Sequence, residues 1–148
     1  MLRTRLIHPE ILAALAAAGH GSQVLISDGN FPHATATPPT ARRVYLNLSP
    51  GRVTATEVLE AIAATAPLEA AAVMRPDDAD APPMLEEFRA LLPPGTPVEV
   101  VERFAFYDLA RGRDVALVVA TGDQRLYANV LLTLGYVDPA ASSGANPG

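Results

Sequence analysis

The stretch Gly19-His20-Gly21-Ser22-Gln23-Val24-Leu25-Ile26-Ser27-Asp28-Gly29-Asn30-Phe31-Pro32 sets a helix end, a buried strand and a polar loop side by side. Gly19 is the natural left-handed stop for a preceding helix, since it has no Cβ to clash there. Val24-Leu25-Ile26 is a short apolar run bounded by polar residues, which reads as a buried strand. Asp28 and Asn30 follow it in a loop closed by Phe31 and Pro32. In open α/β sheets, ligands collect beyond the carboxyl ends of strands, which is where this pattern puts Asp28. His20 and Asp28 thus flank one short strand, a proton-transferring group on one side and a carboxylate on the other.

Upstream, Pro9 suits the first turn of a helix, Glu10 favours its dipole, and Ile11, Leu12, Leu15 and Ala16 form its apolar face. Downstream, residues 29–42 carry three prolines and no periodicity, so they form a long ordered loop or a mobile lid. Arg43–Leu48 alternates as a strand, and Thr54-Ala55-Thr56-Glu57 is a capping box opening a helix with Val58, Leu59 and Ile62 inward. Ala70–Met74 reads as a strand, Arg75–Pro83 as an Asp- and Pro-rich loop, and Met84–Leu92 as an amphipathic helix ended by Pro93-Pro94-Gly95.

Val98–Val101 follows as a strand and Arg103–Ala110 as a helix with Phe104 and Tyr107 on one side. Asp114–Thr121 contains the most continuous apolar strand, Val115 to Ala120. Thr121-Gly122-Asp123 then leads into an expected short helix through Tyr127, Asn129 and Leu131, ended by Gly135. The alternation of strands and helices predicts a layered α/β domain with a largely parallel sheet. A single domain is expected over residues 1–139, and Ala140–Gly148 is expected to be a disordered tail.

The chain is 49% apolar and 18% charged, with a net charge of −5, which suits a globular domain that also buries surface in an oligomer. Its acidic balance and scattered arginines argue against a nucleic-acid or anionic-membrane partner. With no cysteine there is neither a disulfide nor a thiolate metal site. No secretory or membrane-spanning run is evident, so the expected location is the cytoplasm. Gly-x-Gly-x-x-Gly and Gly-x-Ser-x-Gly motifs are absent, and so is lysine altogether. His8, His20 and His33 lack the spacing of a zinc helix, so no metal site is expected.

The residues that could carry chemistry each have a plainer role open to them. His8 fits a helix N-cap. His20, between two glycines, is either a surface or capping histidine or an acid/base group near neutrality. His33 lies in the proline-rich loop, solvated or near a ligand. Asp28-Gly29-Asn30 is turn chemistry or a hydroxyl anchor. Arg103 pairs with Glu102 or Asp108 or meets a ligand, Asn129 caps the expected helix or binds, and Tyr127 is half-buried core or ligand contact. Together they offer imidazole, carboxylate, amide, guanidinium and hydroxyl groups, a set suited to a neutral polyhydroxylated ligand.

Five further pieces occur together in one order: His8-Pro9-Glu10, Gly19-His20-Gly21, Ser27-Asp28-Gly29-Asn30-Phe31-Pro32, Arg103-Phe104-Ala105-Phe106-Tyr107, and Thr121-Gly122-Asp123 with Tyr127-Ala128-Asn129. In this the chain resembles the ribose pyranase / fucose mutarotase family of sugar-anomer isomerases, over roughly residues 5–137. The Asn-Phe-Pro loop and Arg103 resemble the fucose branch, whereas Tyr127-Ala128-Asn129 is closer to the pyranase branch. The resemblance implies a three-layer α/β/α sandwich with a largely parallel mixed sheet, assembled into a homo-oligomer, often a ring-shaped decamer, with sites near subunit boundaries. It implies a monosaccharide substrate, most closely L-fucose with D-ribose as the alternative, and no cofactor. It implies His20 as proton donor and Asp28, Arg103, Tyr127, Ala128 (through its backbone) and Asn129 as sugar-binding positions. A non-catalytic sugar-binding module on the same scaffold draws on the same residues.

Overall fold

His8 opens the first helix, α1 (Pro9–Ala17), as its N-cap: the imidazole Nδ1 accepts the Ile11 N–H at 3.4 Å, and Pro9 occupies the position that needs no donor. The chain leaves α1 through Gly19, at φ 143°, and enters β1 (Gln23–Ser27). The computed structural model describes residues 1–142. The remaining elements are β2 (Arg42–Tyr45), α2 (Ala55–Ala63), β3 (Leu68–Arg75), α3 (Leu85–Leu91), β4 (Val98–Glu102), α4 (Arg103–Ala110), β5 (Val115–Ala120), β6 (Val130–Leu134) and α5 (Pro139–Ser142). The capping box of α2 forms as its sequence requires: the Glu57 N–H donates to Thr54 Oγ1 at 3.3 Å and the Thr54 N–H to Glu57 Oε2 at 2.7 Å.

Six strands form one sheet in the order β2-β5-β1-β6-β3-β4. The pairs β2–β5, β5–β1 and β3–β4 are parallel, whereas β6 runs antiparallel to both β1 and β3. Side chains alternate between the faces with the strand period. Val24 and Ile26, Ala71 and Val73, Leu117 and Val119, and Val130, Leu132 and Leu134 pack under Ile11, Leu59, Ile62 and Phe88 of α1, α2 and α3. Leu25, Ala72, Met74, Val118 and Leu131 face the other way, against Phe106 and Ala110 of α4 and against Phe31, Ala36 and Ala41. The architecture is the expected three-layer α/β/α sandwich with a mixed sheet, and the 31–41 segment supplies part of the second outer layer.

The short helix expected over Tyr127–Leu131 is not formed. Val130–Leu134 is instead a strand, hydrogen-bonded on both sides in the middle of the sheet. A short apolar run of Val and Leu suits a buried strand as well as a buried helix, and pairing with β1 and β3 decides between them. The expected tail begins differently too, since Pro139–Ser142 make one helical turn; residues 143–148 of that tail lie outside the described residues.

The 29–42 segment is an ordered loop, and Arg43 holds it. Its Nε donates to the His33 carbonyl and to Thr37 Oγ1, both at 3.1 Å, and its Nη2 to the carbonyls of Thr37 at 3.2 Å and Pro38 at 3.1 Å. A second fixed loop follows β2. The Gly51 N–H donates to the Gly122 carbonyl at 2.7 Å, and the Gly122 N–H to the Val53 carbonyl at 3.0 Å. A Cβ on Gly122 would stand 2.0 Å from the Arg52 carbonyl oxygen and 2.5 Å from that of Ser49, so only glycine permits this approach. Gly122→Ala is expected to destabilise the protein by about 1–3 kcal/mol, seen as a lower thermal midpoint; an unchanged midpoint would mean the loop is not clamped there.

Candidate active site

β1 ends at Ser27, and the next residue, Asp28, is buried. Because β6 is antiparallel to β1, the residue just before β6, Asn129, arrives beside Asp28 although 101 positions away in sequence. The two are joined reciprocally: the Asp28 N–H donates to Asn129 Oδ1 at 2.9 Å, and Asn129 Nδ2 donates to Asp28 Oδ2 at 3.0 Å. The Asn30 N–H donates to Asp28 Oδ1 at 2.9 Å, closing a tight turn. Burial pushes the Asp28 carboxyl above its usual value, over the opposing pull of the Asn30 and Asn129 hydrogen bonds. Asp28 has no cationic partner among the described residues and is satisfied by neutral donors alone.

Tyr127 precedes Asn129 in the left-handed region, at φ 62°. A non-glycine residue there costs about 1–2 kcal/mol and persists only where its surroundings enforce it. Ala128 is fully buried and packs into the core beneath α1–α3, between the two cleft residues Tyr127 and Asn129.

Arg103 opens α4, whose N-cap is Glu102: its carboxylate accepts the Phe104 N–H at 3.0 Å and the Ala105 N–H at 2.7 Å. Glu102 is thereby committed, and the Arg103 guanidinium pairs instead with Asp77 at 3.3 Å, neither with Glu102 nor with Asp108. The guanidinium also lies 4.7 Å from the Phe104 ring centroid, while its buried Nε–H finds no acceptor among the described residues. Asp28, Asn30, Arg103, Tyr107, Tyr127 and Asn129 line one cleft of about 190 Å³, together with the apolar side chains of Phe31, Met74 and Leu126. Hydroxyl, amide and guanidinium groups around a partly apolar floor match a sugar, which has hydroxyls at its edge and C–H bonds on its faces. The structure thus brings together four of the six residues singled out from sequence, while Ala128 is buried behind them and does not line the cleft.

His20 is elsewhere. It lies at the opposite end of β1, whose five residues span about 17 Å at the usual rise. Its Nε2 meets Glu69 Oε2 at 2.8 Å, its ring stands edge-on to Tyr136 with centroids 5.2 Å apart, and 54% of its side chain is exposed. Tyr136 and Val137 beside it are exposed as well. One strand cannot bring both of its ends to one substrate, so His20 and Asp28 of the same chain do not form one site.

The structure gives roles to three further residues near the cleft. His33 is half-buried behind the cleft, with Nδ1 2.9 Å from Ser27 Oγ and its ring between Phe31 (5.8 Å) and Tyr45 (6.3 Å). Burial holds its pKa below the ordinary 6.5. Asp123 is a structural hub: it accepts the Ala55 N–H at the start of α2 at 2.9 Å, and Arg125 Nε and Nη2 at 3.0 and 2.7 Å. Burial raises this carboxyl, but Arg125 and the backbone donors outweigh that and hold it below its usual value. Arg125 extends the hub to Glu87 on α3, at 2.6 Å. Two residues apart in sequence, opposite charges were the available signal for that pair. Among the described residues, no group of three or more His, Asp or Glu is placed to hold a metal ion, and no helix is long and apolar enough to cross a membrane.

Residues 1–137 match the family described as the RbsD / FucU transport protein family. The chain is 33% identical over 143 residues to the fucose mutarotase of Danio rerio, covering 88% of this chain and 90% of that one. It is 35% identical over 135 residues to the D-ribose pyranase of Symbiobacterium thermophilum, covering 91% and 98% respectively. Among solved structures, FucU from Bifidobacterium longum superposes with a TM-score of 0.74 at 33% identity, over 89% of this chain and 96% of that one.

The lowered pKa of His33 has a consequence for stability. The fold favours the neutral imidazole, so this contribution is complete above pH 6.5 and is lost as pH falls below that value towards the folded pKa. The thermal midpoint should therefore drop between about pH 7.5 and 5.5, with a shallower slope in His33→Gln, which does not titrate. Parallel slopes for the two proteins would show that His33 does not carry the dependence.

Proposed function

Because this chain belongs to the RbsD / FucU transport protein family, we propose that it is a sugar mutarotase, interconverting the anomers of a free aldose. L-Fucose is the first candidate, from the Asn-Phe-Pro loop and Arg103. D-Ribose, with pyranose–furanose interconversion, is the alternative, since relatives of both names are similar to the chain to nearly the same degree. The observation that carries the proposal is the buried Asp28–Asn129 pair in a cleft that also holds Arg103, whose buried Nε–H has no acceptor among the described residues.

The reaction needs two proton movements and no electron transfer. The anomeric hydroxyl loses a proton as the bond from the anomeric carbon to the ring oxygen breaks, and the ring oxygen gains a proton. The open aldehyde turns about its adjacent carbon–carbon bond, and the ring closes on the other face. Asp28 and Asn129 orient ring hydroxyls, the Tyr127 side chain holds the sugar, and Arg103 donates a further hydrogen bond. Asp28, held by neutral donors and raised by burial, accepts a hydroxyl proton more readily than an ion-paired carboxylate.

Among the described residues, no histidine lines the cleft. We assign the second proton-transferring group to His20 of a neighbouring copy in a homo-oligomer. Its exposure, and the exposed Tyr136 and Val137 around it, support this placement. The assembly is proposed to work in the cytoplasm, where free aldoses are metabolised.

Saturation-transfer NMR of anomeric exchange with L-fucose and D-ribose tests the proposal. The protein should accelerate exchange of one of them, and His20→Ala should lower the rate by about 10²–10⁴. Asp28→Asn should also be inactive. Co-assembly of His20→Ala with Asp28→Asn chains should restore part of the exchange, because some boundaries then pair an intact His20 with an intact Asp28. A mixture as inactive as its components would rule out a site shared between copies, and binding without acceleration would mark a sugar-binding module.

A further inference from the structure

A second cleft, of about 380 Å³, adjoins the Asp28 cleft and shares Asn30 with it as a common wall. It opens where three neighbouring parallel strands end: Gly29 and Asn30 follow β1, Asn47 and Ser49 follow β2, and Gly122 and Gln124 follow β5. Crevices beyond the carboxyl ends of parallel strands are where ligands of α/β sheets lie. The walls are set by backbone bonds: Gly29 N–H to the Asp123 carbonyl at 2.9 Å, and the clamp of the 49–53 loop on Gly122. The cleft is therefore formed before any ligand arrives.

Its chemistry is neutral. Asn30, Asn47, Ser49 and Gln124 make no side-chain hydrogen bond among the described residues, so three amides and a hydroxyl remain available to donate and accept. The one carboxylate at its edge, Asp123, is committed through both oxygens to Ala55 and Arg125. Such a lining does not select an anion or a cation, whereas sugar hydroxyls, which also donate and accept, fit it. A further constraint comes from the reaction. Mutarotation requires a free anomeric centre and free ring-closing oxygens (O5 for a pyranose, O4 as well where a furanose forms) but leaves the remaining hydroxyls open to substitution. A sugar seated at Asp28 can therefore carry a second sugar on a non-anomeric oxygen, and the neighbouring cleft has room for it.

We infer that the Asn30–Asn47–Gln124 cleft is a second sugar subsite, taking the non-reducing unit of a reducing disaccharide whose free anomeric unit sits at Asp28. This rests on the mutarotase reading above and names a wider substrate class for it. The test compares anomeric exchange of L-fucose and D-ribose with that of disaccharides carrying β-galactopyranose at O2, O3 or O4 of L-fucose, or at O2 or O3 of D-ribose. For at least one linkage, KM should be about tenfold lower than for the monosaccharide, as one or two added hydrogen bonds supply. Asn47→Ala and Gln124→Ala should each raise the disaccharide KM by roughly fivefold to tenfold and leave the monosaccharide KM within about twofold, with thermal midpoints confirming that both variants fold. Exchange of the monosaccharide with no advantage for any disaccharide overturns the subsite alone, as do equal losses on both substrates. Acceleration of neither class overturns the mutarotase reading, and the subsite with it.

Discussion

β6 runs against both of its neighbours, and the reciprocal hydrogen bonds between Asp28 and Asn129 lock that reversal at one point. A parallel strand in this place would begin at the far end of β1 and carry Asn129 away from Asp28. The antiparallel register sets the start of β6 against the end of β1, and a carboxylate and an amide then face each other in a buried site. Neither group is cheaply left alone there, since a buried donor or acceptor without a partner costs about 1–3 kcal/mol. The pair therefore fixes the register as much as the register fixes the pair. The left-handed turn at Tyr127 follows from the same geometry, because the chain must enter β6 at the level of Asp28.

Two buried carboxylates, Asp28 and Asp123, stand near this end of the sheet with pKa values shifted in opposite directions. Asp123 is gripped by the Arg125 guanidinium and the first amide of α2, which keeps it ionised and ties the 121–125 loop to α2 and, through Glu87, to α3. Asp28 has only amide donors, and burial raises it. An ion-paired carboxylate transfers protons poorly, whereas a desolvated one with neutral partners takes up a proton more readily. Arg43 plays the anchoring part on the other face, holding the 31–41 segment over the sheet so that Phe31 becomes one wall of the cleft.

Much of this was legible in the sequence where the cause is local. The His8 cap and Pro9, the Thr54–Glu57 box and the continuous run of β5 depend on residues within a few positions of one another, and each formed as its pattern requires. The strand after Asn129 was misread as a helix because Val130-Leu131-Leu132-Thr133-Leu134 carries no period of its own, and only its neighbours in the sheet decide its form. Arg43 and Arg125 were passed over because an arginine's partners are carbonyls and carboxylates that sequence does not bring near. The ambiguity between a lid and an ordered loop at 29–42 ended with those same Arg43 bonds.

The α/β alternation, the helix caps, the apolar faces and the chemical inventory of the site are readable from the chain, because these follow from backbone preference and side-chain type at short range. Which members of that inventory meet is set by long-range packing. It joined Asp28 to Asn129, set Arg103 and Tyr127 around them, and put His20 at the other end of β1. The physical reason is that adjacency across a sheet depends on strand order and direction, which long-range packing selects, whereas an extended strand keeps its own two ends apart however close they are in sequence.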